Sequence, residues 1–110
     1  MAGIYQKRGQ VDEASRAYAK VIELKPDSPN IMKGYADHLR NTGKRREALE
    51  MYKRSLAMLP TNSPALFNAG VLSAKLGDID SARLYLETLK TVDPKSAATL
   101  SRFLRLKLWQ

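Results

Sequence analysis

GKRREALEMYKRSLAMLP, running from Gly43 to Pro60, contains four residues that come back at one fixed distance in both directions. Gly43, Ala48, Tyr52 and Pro60 recur 34 residues later as Gly77, Ala82, Leu86 and Pro94. They recur 34 residues earlier as Gly9, Ala14, Tyr18 and Pro26. Two small residues, a bulky one and a proline, repeated at a single period of this length, signal stacked helical hairpins. The small residues Ala14, Ala48 and Ala82 let the two helices of a hairpin approach closely. Tyr18, Tyr52 and Leu86 fill the gap one turn later. One hairpin cannot bury its apolar face alone, so stability comes from the interfaces between stacked neighbours.

On the N-terminal side of this stretch, Ser28 is a good N-cap and Pro29 suits the first helical position. A helix is expected from Pro29 through Met32, Tyr35, Ala36 and Leu39 to Gly43. Its partner runs from about Arg45 to Met58, with Ala48, Leu49, Tyr52, Leu56 and Leu59 on the apolar stripe. A third unit opens near Asn62 or Ser63, carries Leu66, Ala69, Gly70 and Leu72, and turns at Gly77-Asp78. Its second helix bears Ile79, Ala82, Leu86, Leu89 and Val92 and stops before Pro94. At the front, residues 1 to 8 read as a short helix ending at Gly9, which fits the left-handed position after a helix. Asp12 and Glu13 then open a second helix with acids where the macrodipole favours them. That helix carries Ala14, Ala17, Tyr18, Val21 and Ile22 and ends at Lys25-Pro26, since proline disfavours the helical region for its predecessor. A last helix, from about Ser96 to Trp109, has no partner. No segment alternates as a half-buried strand would. The expected class is all-α, in one domain over residues 1–110, with units at about 1–28, 29–62 and 63–96 and a terminal helix over 96–109.

Composition removes several classes of function. With 110 residues the chain has no room for a catalytic domain beside a regulatory one. It has no cysteine, which rules out disulfides and thiolate metal sites. No apolar run approaches the roughly 18 residues needed to span a bilayer, and MAGIYQKRG lacks the apolar core of a signal peptide. A chain that naturally starts here is expected in the cytoplasm. The formal net charge is +8, which favours acidic partners through long-range attraction. The basic residues are spread through the chain and mixed with acids, except at Arg40 to Arg46 and at Lys95, Arg102, Arg105 and Lys107. This is the pattern of a solvated helical surface and argues against nucleic acid as the partner. Arg102, Arg105 and Lys107 beside apolar residues also raise an amphipathic membrane helix, which the chain as a whole does not favour. His38 is the single histidine and borders an apolar stripe. Zinc needs three or four ligands, and no cluster of His, Asp or Glu supplies them. The glycines punctuate helices without forming a phosphate loop. Asp78 and Asp80 sit where a helix begins, and capping accounts for them. No enzyme, cofactor or metal site is expected.

The repeat resembles the tetratricopeptide repeat family. Its pattern places a bulky residue, a leucine-glycine pair and a tyrosine on the first helix, then alanine, an aromatic and a proline on and after the second. The second unit supplies Met32, Tyr35-Ala36, Leu39, Ala48, Tyr52 and Pro60. The third supplies Leu66, Ala69-Gly70, Ser73, Ala82, Leu86 and Pro94. The first, lacking its front, keeps Tyr5, Ala14, Tyr18 and Pro26. The last helix matches only the opening, with Leu100 and Phe103-Leu104, and puts Lys107 at the tyrosine position. The resemblance implies a right-handed superhelical solenoid of antiparallel hairpins. It also implies a non-catalytic scaffold whose first helices line a concave groove that binds a peptide or a partner helix.

By the same alignment the groove-facing residues are Lys33, Asp37, Arg40 and Asn41 in the second unit. In the third they are Phe67, Asn68, Val71, Ala74 and Lys75, and in the last helix Ser101, Arg102 and Arg105. An apolar patch at Phe67 and Val71 with basic ends would suit a peptide with an apolar anchor and an acidic or carboxylate-terminal group, which arginine contacts bidentately. Some family members grip the terminal carboxylate of heat-shock chaperones at five positions. Lys33, Asn68 and Arg102 match three of them, whereas Asp37 and Ala98 stand where asparagine and lysine are wanted. An acid there would repel a carboxylate.

The ends form a second candidate surface. The face of Ala14, Tyr18 and Val21 is under-covered, and the last helix is apolar all round, with Phe103, Leu106 and Trp109 as candidate oligomer or end contacts. A terminal helix is expected to be polar outside, and exposed apolar patches mark interfaces. The ends therefore allow a homo-oligomer that assembles head to tail. They also allow the chain to be a fragment of a larger multidomain protein, such as a glycosyltransferase, in which the repeats recruit substrates.

Overall fold

The computed structural model describes the backbone of residues 2–108 and the side chains of residues 13–106. Six helices follow one another: α1 (Ala2–Leu24), α2 (Pro29–Asn41), α3 (Arg45–Met58), α4 (Ser63–Lys75), α5 (Ile79–Val92) and α6 (Pro94–Leu108). There is no strand among the described residues. α2 packs on α3 and α4 on α5 as antiparallel hairpins, α3 on α4 joins the two, α1 lies on α2, and α6 rests on both α4 and α5. The result is an all-α repeat solenoid, a slab of 39 × 36 × 21 Å.

The hairpin turns follow from backbone stereochemistry. Gly43 and Gly77 have φ of 83° and 89°, the left-handed region that glycine enters without steric cost. The backbone N–H of Lys44 then reaches the Leu39 carbonyl at 2.9 Å, and that of Asp78 reaches the Ser73 carbonyl at 2.8 Å, which closes each helix end. The helix starts use caps. Asn62 accepts from the Ala65 N–H at 3.1 Å and Asp78 from the Ser81 N–H at 3.1 Å, so Asp78 does the capping expected of it. Ser28 holds the N-cap position before Pro29 without a side-chain cap bond.

The repeat's small and bulky positions are both fully buried. Ala48 and Ala82 are 0% exposed, as is Tyr52. A second bond locks the first hairpin, where the Ser55 hydroxyl donates to the Pro29 carbonyl at 3.0 Å. The core runs continuously from Ala36 through Leu66, Leu86 and Leu89 to Leu104. Ser73, standing where the family carries a tyrosine, is buried with its hydroxyl unpartnered.

Three expectations need correction. The turn at Gly9 does not form, and α1 runs unbroken through Gly9, Asp12 and Glu13. One glycine in a helix costs only about 1 kcal/mol, which a continuous helix of 23 residues absorbs. Val21, Leu59 and Val92, expected on apolar stripes, are exposed, Val21 on the uncovered face of α1 and the other two at helix ends. α5 ends at Val92, before Pro94 as expected, but the last helix, expected from about Ser96, already begins at Pro94. Asp93 caps α6, accepting from the Ser96 N–H at 3.3 Å and the Ser96 hydroxyl at 2.7 Å, and it ties in α4 by accepting from the Ser63 hydroxyl at 2.6 Å.

α4 starts 34 residues after α2, whereas α6 starts only 31 residues after α4. The earlier start leaves the period of its buried face unchanged, with Leu100 and Leu104 buried at the places of Leu66 and Gly70.

Candidate functional site

α2 and α4 bring together the polar residues expected in the groove. Lys33 pairs with Asp37 one turn on, its Nζ 3.0 Å from Oδ2. The other oxygen of Asp37 accepts a hydrogen bond from the hydroxyl of Tyr52 on α3. Arg40 reaches from α2 to α4, where its Nη1 donates to Oδ1 of Asn68, and its Nη2 lies 3.4 Å from Oδ1 of Asn41. Two first helices are therefore connected through side chains on the groove face, and the Asn68 amide NH₂ is left with its donors. Asp37 is held between an ammonium and a hydroxyl, so its charge is partly met within the fold. Burial, and then the hydrogen bond to Asp37, push the Tyr52 hydroxyl well above the ordinary tyrosine value.

Phe67 and Val71 on α4 are half-buried and pack against the core while keeping one side open. Phe67 shares a shallow depression of about 210 Å³ with Lys95, Ser96 and Thr99 at the start of α6. The spacing argument missed Lys95. The signal was present in Asp93-Pro94, an N-cap followed by proline, which starts the last helix early enough to include Lys95.

The other predicted residues fall into three groups. Lys75, Arg102 and Arg105 are exposed, the last two on α6. Ala74 is fully buried and does not face the groove. Ser101 lies in a separate depression of about 260 Å³ with Lys90, Pro94, Ala97 and Ala98, between α5 and α6. Of the end residues, Phe103 packs half-buried against the core, Leu106 is 61% exposed, and Trp109 lies outside the described residues. The Lys44-Arg45-Arg46 cluster lines the hairpin turn with Gly43, Glu47 and Leu76. His38 bonds Ser15 at 3.0 Å and lies tilted against Tyr18, which joins α1 to α2. Among the described residues there is no group of acids and histidine that would hold a metal ion, and no helix long and apolar enough to cross a membrane.

The chain is similar to several known proteins. It is 31% identical over 94 residues to the protein CTR9 homolog of Arabidopsis thaliana, a match covering 84% of this chain and 9% of that protein. It is 28% identical over 100 residues to the human protein O-mannosyl-transferase TMTC1, covering 87% of this chain and 11% of that protein. The chain thus spans about a tenth of the length of these relatives. Among solved structures, the first tetratricopeptide repeat domain of Spaghetti (RPAP3), bound to the HSP90 peptide SRMEEVD, superposes with a TM-score of 0.79 at 21% identity, covering 98% of this chain and 87% of that one. Residues 39–102 match the tetratricopeptide repeat, and residues 1–28 match it separately. With that match spanning more than half its length, the chain belongs to the tetratricopeptide repeat family.

Proposed function

We propose that this chain is a non-catalytic scaffold that holds a peptide or partner helix in the groove along α2, α4 and α6. Tetratricopeptide repeats are in general protein-interaction modules, and the reading rests on one local arrangement. The Arg40–Asn68 hydrogen bond fixes two successive first helices next to the depression where Phe67 meets Lys95. An apolar wall beside an ammonium, with amide donors one residue away, suits a ligand with an apolar anchor followed by an acidic group. Arg102 and Arg105 extend the positive charge along α6.

A chaperone-type terminal carboxylate is a poorer fit than this general description. Ala98 stands where carboxylate-binding members of the family carry lysine. Asp37 still presents an acid where asparagine is wanted. The HSP90 peptide of the RPAP3 domain therefore supports peptide binding as a mode, while the acidic tail itself is not the ligand proposed. The relatives' greater length favours a second reading, in which the array is one segment of a larger protein and its groove recruits that protein's substrates.

The test is a peptide-display selection on the wild-type chain and on Val71→Glu, Lys95→Glu and Arg102→Glu, with Arg83→Glu on α5 as control. The proposal predicts enriched peptides with an apolar residue near an acid, lost on the groove variants and kept on the control. Equal enrichment on all four variants would remove the groove from consideration.

A further inference from the structure

The turn of the α2–α3 hairpin carries a charge cluster that the groove does not use. Gly43, Lys44, Arg45, Arg46 and Glu47 line an open depression of about 330 Å³ with Leu76, the residue that ends α4. The depression lies inside the stack, between the complete hairpins α2–α3 and α4–α5. Its four charged residues are exposed, while Leu76 is half-buried against the core and supplies the apolar part of the wall.

The cations of this cluster are not neutralised within the fold. Elsewhere on the helix surfaces, ion pairs join a cation to an acid one turn away: Lys33 to Asp37, Lys53 to Glu50 and Lys90 to Glu87. Among the described residues no salt bridge engages Lys44, Arg45 or Arg46, although Glu47 stands next to them. Three neighbouring cations repel one another. Arg45 and Arg46 also lie in the first turn of α3, where the helix dipole disfavours positive charge. The cluster therefore works against folding rather than for it, and an anionic partner is what would relieve it.

We propose that this depression is a second docking surface, for a short acidic segment of a partner protein in which carboxylates flank an apolar residue. The two guanidinium groups offer planar forks that take carboxylates bidentately, and Lys44 adds a point charge. Leu76 gives the apolar residue a contact between them. The net charge of +8 draws such a segment in at long range. Nucleic acid is the poorer fit, because no aromatic side chain lines the depression for a base to stack on. This surface stands apart from the groove along α2, α4 and α6 and does not depend on it.

The probe is a blocked peptide with glutamates on both sides of one leucine, titrated into isotope-labelled protein at low salt and followed by backbone amide shifts. Saturable shifts are expected at Gly43 to Glu47 and at Leu76, with affinity falling as salt is raised. Reversing Arg45→Glu and Arg46→Glu together should weaken binding by about tenfold or more. The same charge change at Arg54 and Arg83, exposed on α3 and α5, should weaken it far less. The first pair of substitutions puts acids where the α3 dipole favours them, so that variant should melt no lower than the wild type and its loss of binding is not a loss of fold. Absence of saturable shifts at millimolar peptide, or an equal loss in both double variants, overturns the proposal. Shifts confined to Phe67, Val71 and Lys95 overturn it too, and leave the groove as the acidic peptide's site. An oligothymidylate that binds the turn more tightly than a peptide of equal charge overturns the choice of partner.

Discussion

Gly70 and Gly34 are both helical glycines, and the packing around them predicts opposite responses to alanine. A Cβ at Gly70 would lie 2.6 Å from Cδ2 and 3.3 Å from Cδ1 of Leu100, where carbon atoms prefer about 3.5–4.0 Å. Leu100 is 0% exposed, so its methyl groups must shift by about 1 Å inside a close-packed core. Such overpacking costs about 1–3 kcal/mol, against a gain of about 1 kcal/mol from helix propensity. Gly70→Ala should therefore destabilise by between zero and about 2 kcal/mol. At Gly34 the nearest atom is Cε1 of Tyr18 at 3.5 Å, an ordinary contact, so Gly34→Ala keeps its propensity gain of about 0.5–1 kcal/mol. Urea unfolding followed by circular dichroism measures both, with the midpoint moving and the slope unchanged. Leu100→Ala, itself costing about 2–5 kcal/mol, completes the argument: in that background Gly70→Ala should become stabilising, because the clash is gone. If Gly70→Ala stabilises the native background as much as Gly34→Ala does, α6 does not seat on α4 through Leu100.

Two further predictions concern titration. Tyr52→Phe removes a hydroxyl bonded to Asp37 in a buried site and should cost about 1.5–3 kcal/mol at neutral pH. Since the folded tyrosine ionises above its unfolded value near 10, the wild type holds this contribution below about pH 10 and loses it as pH rises toward the folded value. Its stability should fall more steeply in alkali than that of Tyr52→Phe, and superimposable alkaline limbs in urea titrations at stepped pH would count against the buried site. Asp78 and Asp93 go the other way. Hydrogen bonds from Ser81 to Asp78, and from Ser63 and Ser96 to Asp93, hold both carboxyls below the usual value. Their stabilisation is present above the unfolded value of about 3.9 and is lost as pH falls through the lower folded values. The Asp78→Asn, Asp93→Asn double variant should show a shallower decline in melting temperature across that acid window, and an unchanged decline would mean that the caps are not formed.

The hairpins were legible in the sequence because their determinants are local. Gly43 and Gly77 need a left-handed backbone, the alanines one period apart need a close helix crossing, and α3 begins and ends where Lys44 and Leu59 border the apolar stripe. Gly9 misled because it stands at the place of Gly43 and Gly77 in the period, yet α1 continues through it; what makes a turn here is the pairing of two helices, and that is not local. At Asp93-Pro94 the expected stop of α5 holds, but an aspartate before a proline is also a helix start. α6 therefore begins at Pro94 rather than near Ser96 and carries Lys95 to the depression beside Phe67. The polar residues of α2 and α4 were identified as a set, but their mutual bonds were hidden from the sequence. Arg40 and Asn68 lie 28 residues apart, and only the stacking of α4 against the first hairpin brings them within reach.

The central claim, that the groove along α2, α4 and α6 holds the ligand, is tested most directly by backbone amide chemical shifts. A peptide from the display selection is titrated into isotope-labelled protein. The account predicts perturbations concentrated at Phe67, Asn68, Val71, Lys95 and Arg102, with α3 and α5 little changed on their outer faces. Saturable binding with perturbations confined to those outer faces, and none along α4, would contradict it.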